Sequence, residues 1–123
     1  MERLLLVEHN LLFREGLALL LKWRTGLGSV HAGSLAEARR VLDDTSRKLA
    51  CVVVDLDLPE GEGTELLKGL NGVPVLALIR SRNLTRQAEA KRLGAEEVLR
   101  TGSIEEIVAA VERLVGPRSI TVF

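Results

Sequence analysis

Three acidic residues stand where apolar runs stop. In Cys51–Gly63, CVVVDLDLPEGEG, an unbroken apolar run leads into Asp55, Asp57 follows, and then come Pro59, Gly61 and Gly63. Near the N-terminus Leu4–Val7 leads in the same way into Glu8 and His9. A carboxylate at the end of a buried run needs a donor or a cation to offset its desolvation. Brought together, Glu8 and Asp55 could hold Mg2+, which prefers carboxylate oxygens and keeps several waters. A cation there could also neutralise an incoming phosphoryl group and let the Asp55 carboxylate attack it. The plainer alternative is that Asp55 and Asp57 only cap a turn before the next helix.

The elements that position these acids alternate. Short apolar runs at Leu4–Val7, Cys51–Val54, Val73–Leu78 and Val98–Leu99, with a weaker one at Ser29–Ala32, read as strands buried on both faces, the habit of parallel sheets. Helical patterns lie between them: Leu11–Trp23, a segment to Asp43 opened by the capping box Ser34-Leu-Ala-Glu37, Thr64–Leu70, and Thr85–Leu93 closed by Gly94. Ser103-Ile-Glu-Glu106 caps the last helix, whose apolar face is Ile104, Ile107, Val108, Val111 and Leu114. A strand–helix pair repeated five times implies right-handed crossovers and a parallel sheet with helices on both faces. Such folds keep their working site beyond the carboxyl ends of the strands, at a switch in strand order. Glu8-His9, Asp55 and Ile79 all fall at strand ends.

The bulk composition narrows the function. The chain has 123 residues, 46% hydrophobic and 28% charged, which fits one folded domain. Seventeen basic residues balance seventeen acidic ones, and aromatics are only 2%. Neither an electrostatic footprint for nucleic acid or anionic membrane nor a stacking platform for single strands is present, so no direct nucleic acid and no membrane are expected as partners. Cys51 is the single cysteine and lies inside an apolar run, so it reads as a buried structural thiol. No apolar run approaches the ~20 residues of a membrane span, and Met1–Asn10 lacks the pattern of a secretory leader. The cytoplasm is the expected compartment.

Leu5–Leu21, LLVEHNLLFREGLALLL, and Val53–Gly63, VVDLDLPEGEG, resemble the receiver domain of two-component response regulators, the first segment most of all the receivers of LuxR-type regulators. The resemblance covers about residues 3–115 and continues through Val73–Ile79, Leu93–Ala95 and Ser103–Val111. It implies a flavodoxin-like (βα)5 three-layer α/β sandwich with a five-stranded parallel sheet. It also implies acceptance of a phosphoryl group from a histidine kinase onto an aspartate, with Mg2+ bound, followed by a change of binding surface.

Position by position, Asp55 stands at the phosphoacceptor, with Pro59 and Gly63 in matching places. Asp57 stands where the family offers a backbone carbonyl to the metal, and Glu8 fills the first place of its acidic pair. His9 fills the second place, normally an aspartate on the magnesium. Imidazole is a poor ligand for so hard a cation, so the implied Mg2+ is weakly bound. Counting back fifteen residues from Gly94 puts Ile79 where the family has a threonine or serine, and isoleucine has no hydroxyl to donate. The family lysine after the fifth strand falls on Arg100 if a gap is placed in Gly94–Ser103, or on Thr101 without one. Arg100 could pair with an anion through its guanidinium fork, and with that gap Glu97 stands at the aromatic switch position. Charge-assisted hydrogen bonds are worth about 1.5–3 kcal/mol each. Weakening the metal site, deleting the hydroxyl and altering the lysine together remove orders of magnitude from phosphotransfer or its readout.

The expectation is an atypical receiver, regulatory and not enzymatic, with phosphorylation of Asp55 weak or absent. Its partners are a histidine kinase or another signalling protein, with a homodimer through the helix 4 to helix 5 face as a further option. Leu84, Arg86, Arg92 and Glu112 are the contact candidates. Arg80, Arg82 and Arg86 read as a solvated charged loop, and His9 as a loop histidine that no second histidine joins, His31 lying on the second strand. The alternatives are a conventional phospho-accepting receiver and a haloacid-dehalogenase-like phosphohydrolase, whose DxD motif also fits Val52–Pro59 but follows a first strand. The receiver-like domain is expected over 1–115. The tail 116–123 follows, with Pro117 stopping the helix and Ile120–Val122 extended.

Overall fold

A computed structural model describes residues 2–59, 61–70, 72–100 and 103–116. The strands are β1 (Glu2–Val7), β2 (Ser29–Ala32), β3 (Lys48–Asp55), β4 (Asp57–Leu58), β5 (Gly61–Glu62), β6 (Val75–Ile79) and β7 (Glu97–Arg100). The helices are α1 (Leu11–Thr25), α2 (Leu35–Asp43), α3 (Thr64–Leu67), α4 (Leu84–Arg92) and α5 (Ile104–Val115). The main sheet has the order β2-β1-β3-β6-β7, and every pairing in it is parallel. This is the parallel sheet that the alternation implied, in the flavodoxin-like arrangement that the resemblance implied.

The unbroken apolar runs split by parity because successive strand side chains point to opposite faces. Leu4, Leu6, Cys51, Val53, Leu76 and Leu78 pack with Leu17 and Leu21 of α1 and Ile107, Val108 and Val111 of α5. Leu5, Val7, Val52, Val54, Val75 and Ala77 pack instead against Ala38, Leu66, Leu67 and Ala90, on α2, α3 and α4. Cys51 is among the buried residues, and burial pushes its thiol pKa up to about 12.

The caps hold most helix starts. The side-chain oxygens of Asn10, Ser34, Asn83 and Ser103 accept from the backbone N–H groups of Phe13, Glu37, Arg86 and Glu106, each satisfying one orphan donor. Glu37 reaches back to the Gly33 N–H at 3.3 Å rather than to the Ser34 N–H.

Two local features differ from the sequence reading. The third helix ends at Leu67, not Leu70, because Gly69 and Leu70 donate to Leu66 and Leu67 in tighter three-residue turns. The loop after Asp55 folds as a small hairpin, β4 pairing antiparallel with β5. Among the described residues no helix is long and apolar enough to cross a membrane. The tail from Pro117 onward and Thr101 lie outside the described residues.

Candidate functional site

The strand order reverses between β1 and β3. From β1 the chain runs outward to β2, then crosses back to β3 on the other side. Val7 and Val54 are register partners at the carboxyl ends, which sets Glu8 beside Asp55. Both continue the parity of Leu4, Leu6, Cys51 and Val53, so they leave the sheet on the side of α1 and α5. The one geometric condition for an acidic hollow is therefore met.

Both acids are buried, Asp55 to 1% exposure and Glu8 to 6%. Asp55 Oδ1 accepts from the Asp57 N–H at 2.8 Å, an Asx-type turn that aims the chain off β3. Glu8 Oε1 accepts from the Asn10 N–H at 3.0 Å. Burial is the main reason the Glu8 pKa is raised, and the neighbouring Asp55 carboxyl, close enough to share a hydrogen bond, adds to it. The Asn10 N–H and the Arg80 charge pull the other way and do not overcome it.

Two arginines close the hollow. Arg80 follows β6, and its backbone N–H donates to Asp57 Oδ2 at 2.8 Å. Its guanidinium stands 3.4 Å from Asp55 Oδ2. Arg86 of α4 pairs with Asp57 Oδ1, donates to the Leu56 carbonyl at 2.8 Å and meets Glu62 Oε2 at 2.9 Å. Burial raises the Asp57 pKa, but the Arg80 N–H and the Arg86 guanidinium outweigh it and hold the carboxyl below its ordinary value. Arg86 thus ties α4 to the β4–β5 hairpin. An open depression of about 270 Å3, lined by Glu8, Asn10, Phe13 and Arg80, lies over the site.

The reading of Arg80, Arg82 and Arg86 as a solvated loop is corrected for two of the three: Arg80 and Arg86 turn onto the acids, and only Arg82 is free of such a contact among the described residues. The signal for Arg80 was present in the register. Leu78 pairs with Asp55, and Arg80, two residues on, shares its parity.

The other expected residues are placed less centrally. His9 is exposed in the β1–α1 loop. His31 lies on β2, away from the hollow, with Nδ1 accepting from Arg14 Nε at 3.1 Å. Burial first, and Arg14 second, lower the His31 pKa. Ile79 ends β6 fully buried in the layer of α2, α3 and α4 and offers no hydroxyl. Arg100 ends β7 as the register partner of Ile79 and is exposed. No ion pair among the described residues joins it to Asp55, since it shares the parity of Val98, on the opposite face. Of the contact candidates, Arg92 pairs with Glu89 and Glu112 with Arg24, while Leu84 is exposed.

Among the described residues, no group of three or more His, Cys, Asp and Glu side chains converges as a metal site. Two carboxylates with a guanidinium against one of them are not the donor set of a firmly held divalent cation, which takes oxygen ligands in a near-octahedral shell. Glu8 and Asp55 could hold the Mg2+ that the resemblance implied only weakly, because the Arg80 guanidinium stands against Asp55.

No protein-family model matches the chain, and no curated protein does. Solved structures match over nearly its whole length. A two-component response regulator of the LuxR family from Aurantimonas sp. SI85-9A1 is 27% identical, with a TM-score of 0.79, over 92% of this chain and 84% of that one. A response regulator from Burkholderia pseudomallei, solved with a phosphorylated aspartic acid, calcium ion and citrate, is 23% identical, with a TM-score of 0.80, over 94% and 69%. A CheY-like receiver domain from Methanospirillum hungatei JF-1 is 17% identical, with a TM-score of 0.83, over 94% of each chain. In fold the chain is similar to response regulator receiver domains, and its acidic hollow lies at the switch point of the sheet.

Proposed function

We propose that the chain is an atypical receiver of two-component signalling: a regulatory domain, not an enzyme, that acts by protein–protein contact and accepts a phosphoryl group on Asp55 weakly or not at all. The observation that carries this reading is the Arg80 guanidinium 3.4 Å from Asp55 Oδ2, inside the hollow where a receiver of the usual kind needs room for a metal and a phosphoryl group. Three further features support it. His9 is exposed, Ile79 is apolar, and Arg100 is unpaired with Asp55 among the described residues. Each removes one contributor to the stabilisation of a phosphorylated aspartate, worth about 1.5–3 kcal/mol per charge-assisted hydrogen bond.

The Arg80–Asp55 pair is solvent-screened on the arginine side, where 62% of the side chain is exposed. Such pairs are worth up to about 1 kcal/mol, so Mg2+ binding is weak, with the competing guanidinium lowering affinity about fivefold. The partner is a histidine kinase or another signalling protein. The α4–α5 face remains a candidate contact surface, with Leu84 as its exposed apolar residue, and it could also seat a second copy. A conventional phospho-accepting receiver is the second reading, favoured by the burial of Asp55 and Glu8 side by side.

Incubation with a small-molecule phosphodonor and Mg2+, followed by intact mass on wild type and Asp55→Asn, separates the two. The expected wild-type spectrum is unmodified or shows a minor adduct. A stoichiometric, base-labile phosphoryl adduct that disappears in Asp55→Asn contradicts the proposal.

A further inference from the structure

Among the described residues, three of the five most exposed large apolar side chains lie on one stripe of α1: Leu12 at 82%, Leu19 at 74% and Trp23 at 79%. The inward side of the same helix is already supplied by Leu17 and Leu21, so the stripe is surplus to the fold. With Gly16 the positions are 12, 16, 19 and 23, spaced four, three and four. That is the alternation of a helix seam that packs on another helix, and it runs for about 16 Å. Nothing lies within 4 Å of a Cβ built on Gly16, so the seam has an open notch at its middle.

The seam is complementary to itself when reversed. Laid antiparallel on a second copy, Leu12 meets the partner's Trp23 and Gly16 meets the partner's Leu19. The notch then receives a leucine knob twice across a two-fold axis. The charges choose the same arrangement. Glu15 and Lys22 are exposed and lie on one edge of the stripe, seven residues apart. In an antiparallel pair that edge runs beside its own reverse, so Glu15 of each copy faces Lys22 of the other. In a parallel pair neither charge finds its opposite. Glu15 forms no ion pair among the described residues, and Lys22 donates only to the Gly26 carbonyl at its own helix end. The chain's formal net charge is zero, so no overall repulsion opposes association.

We propose that the outer face of α1 is a homodimer interface, in which a second copy of this chain packs antiparallel through Leu12, Gly16, Leu19 and Trp23, flanked by reciprocal Glu15–Lys22 pairs. This interface is separate from the α4–α5 face and does not depend on the state of Asp55.

Trp23 is the only tryptophan, so its emission reads this interface alone. Sedimentation and fluorescence over a concentration series of the whole chain are expected to show a monomer–dimer equilibrium, with Trp23 emission moving to shorter wavelength as dimer forms. Leu19→Lys, at an exposed position, abolishes both changes and leaves the circular dichroism melt of the monomer in place. Glu15→Lys and Lys22→Glu each weaken the dimer about tenfold. Mixing those two variants restores association, because all-lysine edges then face all-glutamate edges, and the double variant also recovers it. A monomer at every concentration overturns the proposal. So does a dimer that persists in Leu19→Lys, which would place the contact on another face, or charge reversals that mixing does not rescue.

Discussion

Glu8 is an acid held where ionisation is disfavoured. Its carboxyl is buried, and Asp55 is its neighbour. A raised folded-state pKa means that the neutral form is the stabilising one. Its contribution is fully present below the ordinary value of 4.5 and is lost as pH rises through the higher folded value. Asp57 has the opposite sign. Its depressed pKa gives stability that is present above 3.8 and lost as pH falls through the folded value. Glu8→Gln keeps an oxygen for the Asn10 N–H and adds a donor toward Asp55. It is expected to raise the melting temperature at neutral pH by about 2–5 °C, roughly 1 kcal/mol, and to flatten the decline of stability from about pH 4.5 upward. Circular dichroism melts across that range check this; an unchanged slope in the variant sinks it. At this scale Asp55 and Glu8 were legible, because a carboxylate ending an apolar run stands out. Arg80 and Arg86 were not: an arginine on a polar loop looks the same whether it points to solvent or folds back. The strand register, with Leu78 beside Asp55, decides it for Arg80, while Arg86 arrives from α4.

The loop after β3 depends on one close approach. A Cβ on Gly63 falls 2.6 Å from the Asp55 carbonyl oxygen and 2.8 Å from Leu56 Cα, both backbone atoms that cannot yield cheaply. Gly63 N also donates to the Leu56 carbonyl at 3.1 Å, drawing the β4–β5 hairpin against the end of β3. Gly63→Ala is therefore expected to cost about 2–3 kcal/mol, in the range of forced overpacking. Gly28→Ala, with open space around its Cβ, should stay within about 0.5 kcal/mol. Urea denaturation of the pair measures the contrast, and equal losses would contradict the close-approach argument. The main elements themselves were readable from sequence because each has a local cause. Ser34 and Ser103 announce their helices, and the strands are runs too short and too apolar for anything else. The β4–β5 hairpin was not readable, since each of its strands is only two residues and carries no period.

The molecule as a whole places its acids by topology. The reversal of strand order between β1 and β3 sets two distant segments side by side, and alternation of strands with helices was enough to foresee it. The same alternation said nothing about which cation balances the hollow, because that depends on side chains arriving from β6 and α4. The account holds that Arg80 takes up the place beside Asp55 and leaves the fold independent of a divalent ion. A Mg2+ titration into the millimolar range, followed by the melting temperature of wild type and Arg80→Ala, tests this most directly. A ligand that binds the folded state raises the melting temperature with its concentration. The account predicts that wild type needs about fivefold more Mg2+ than Arg80→Ala for the same rise in melting temperature; coincident curves would contradict it.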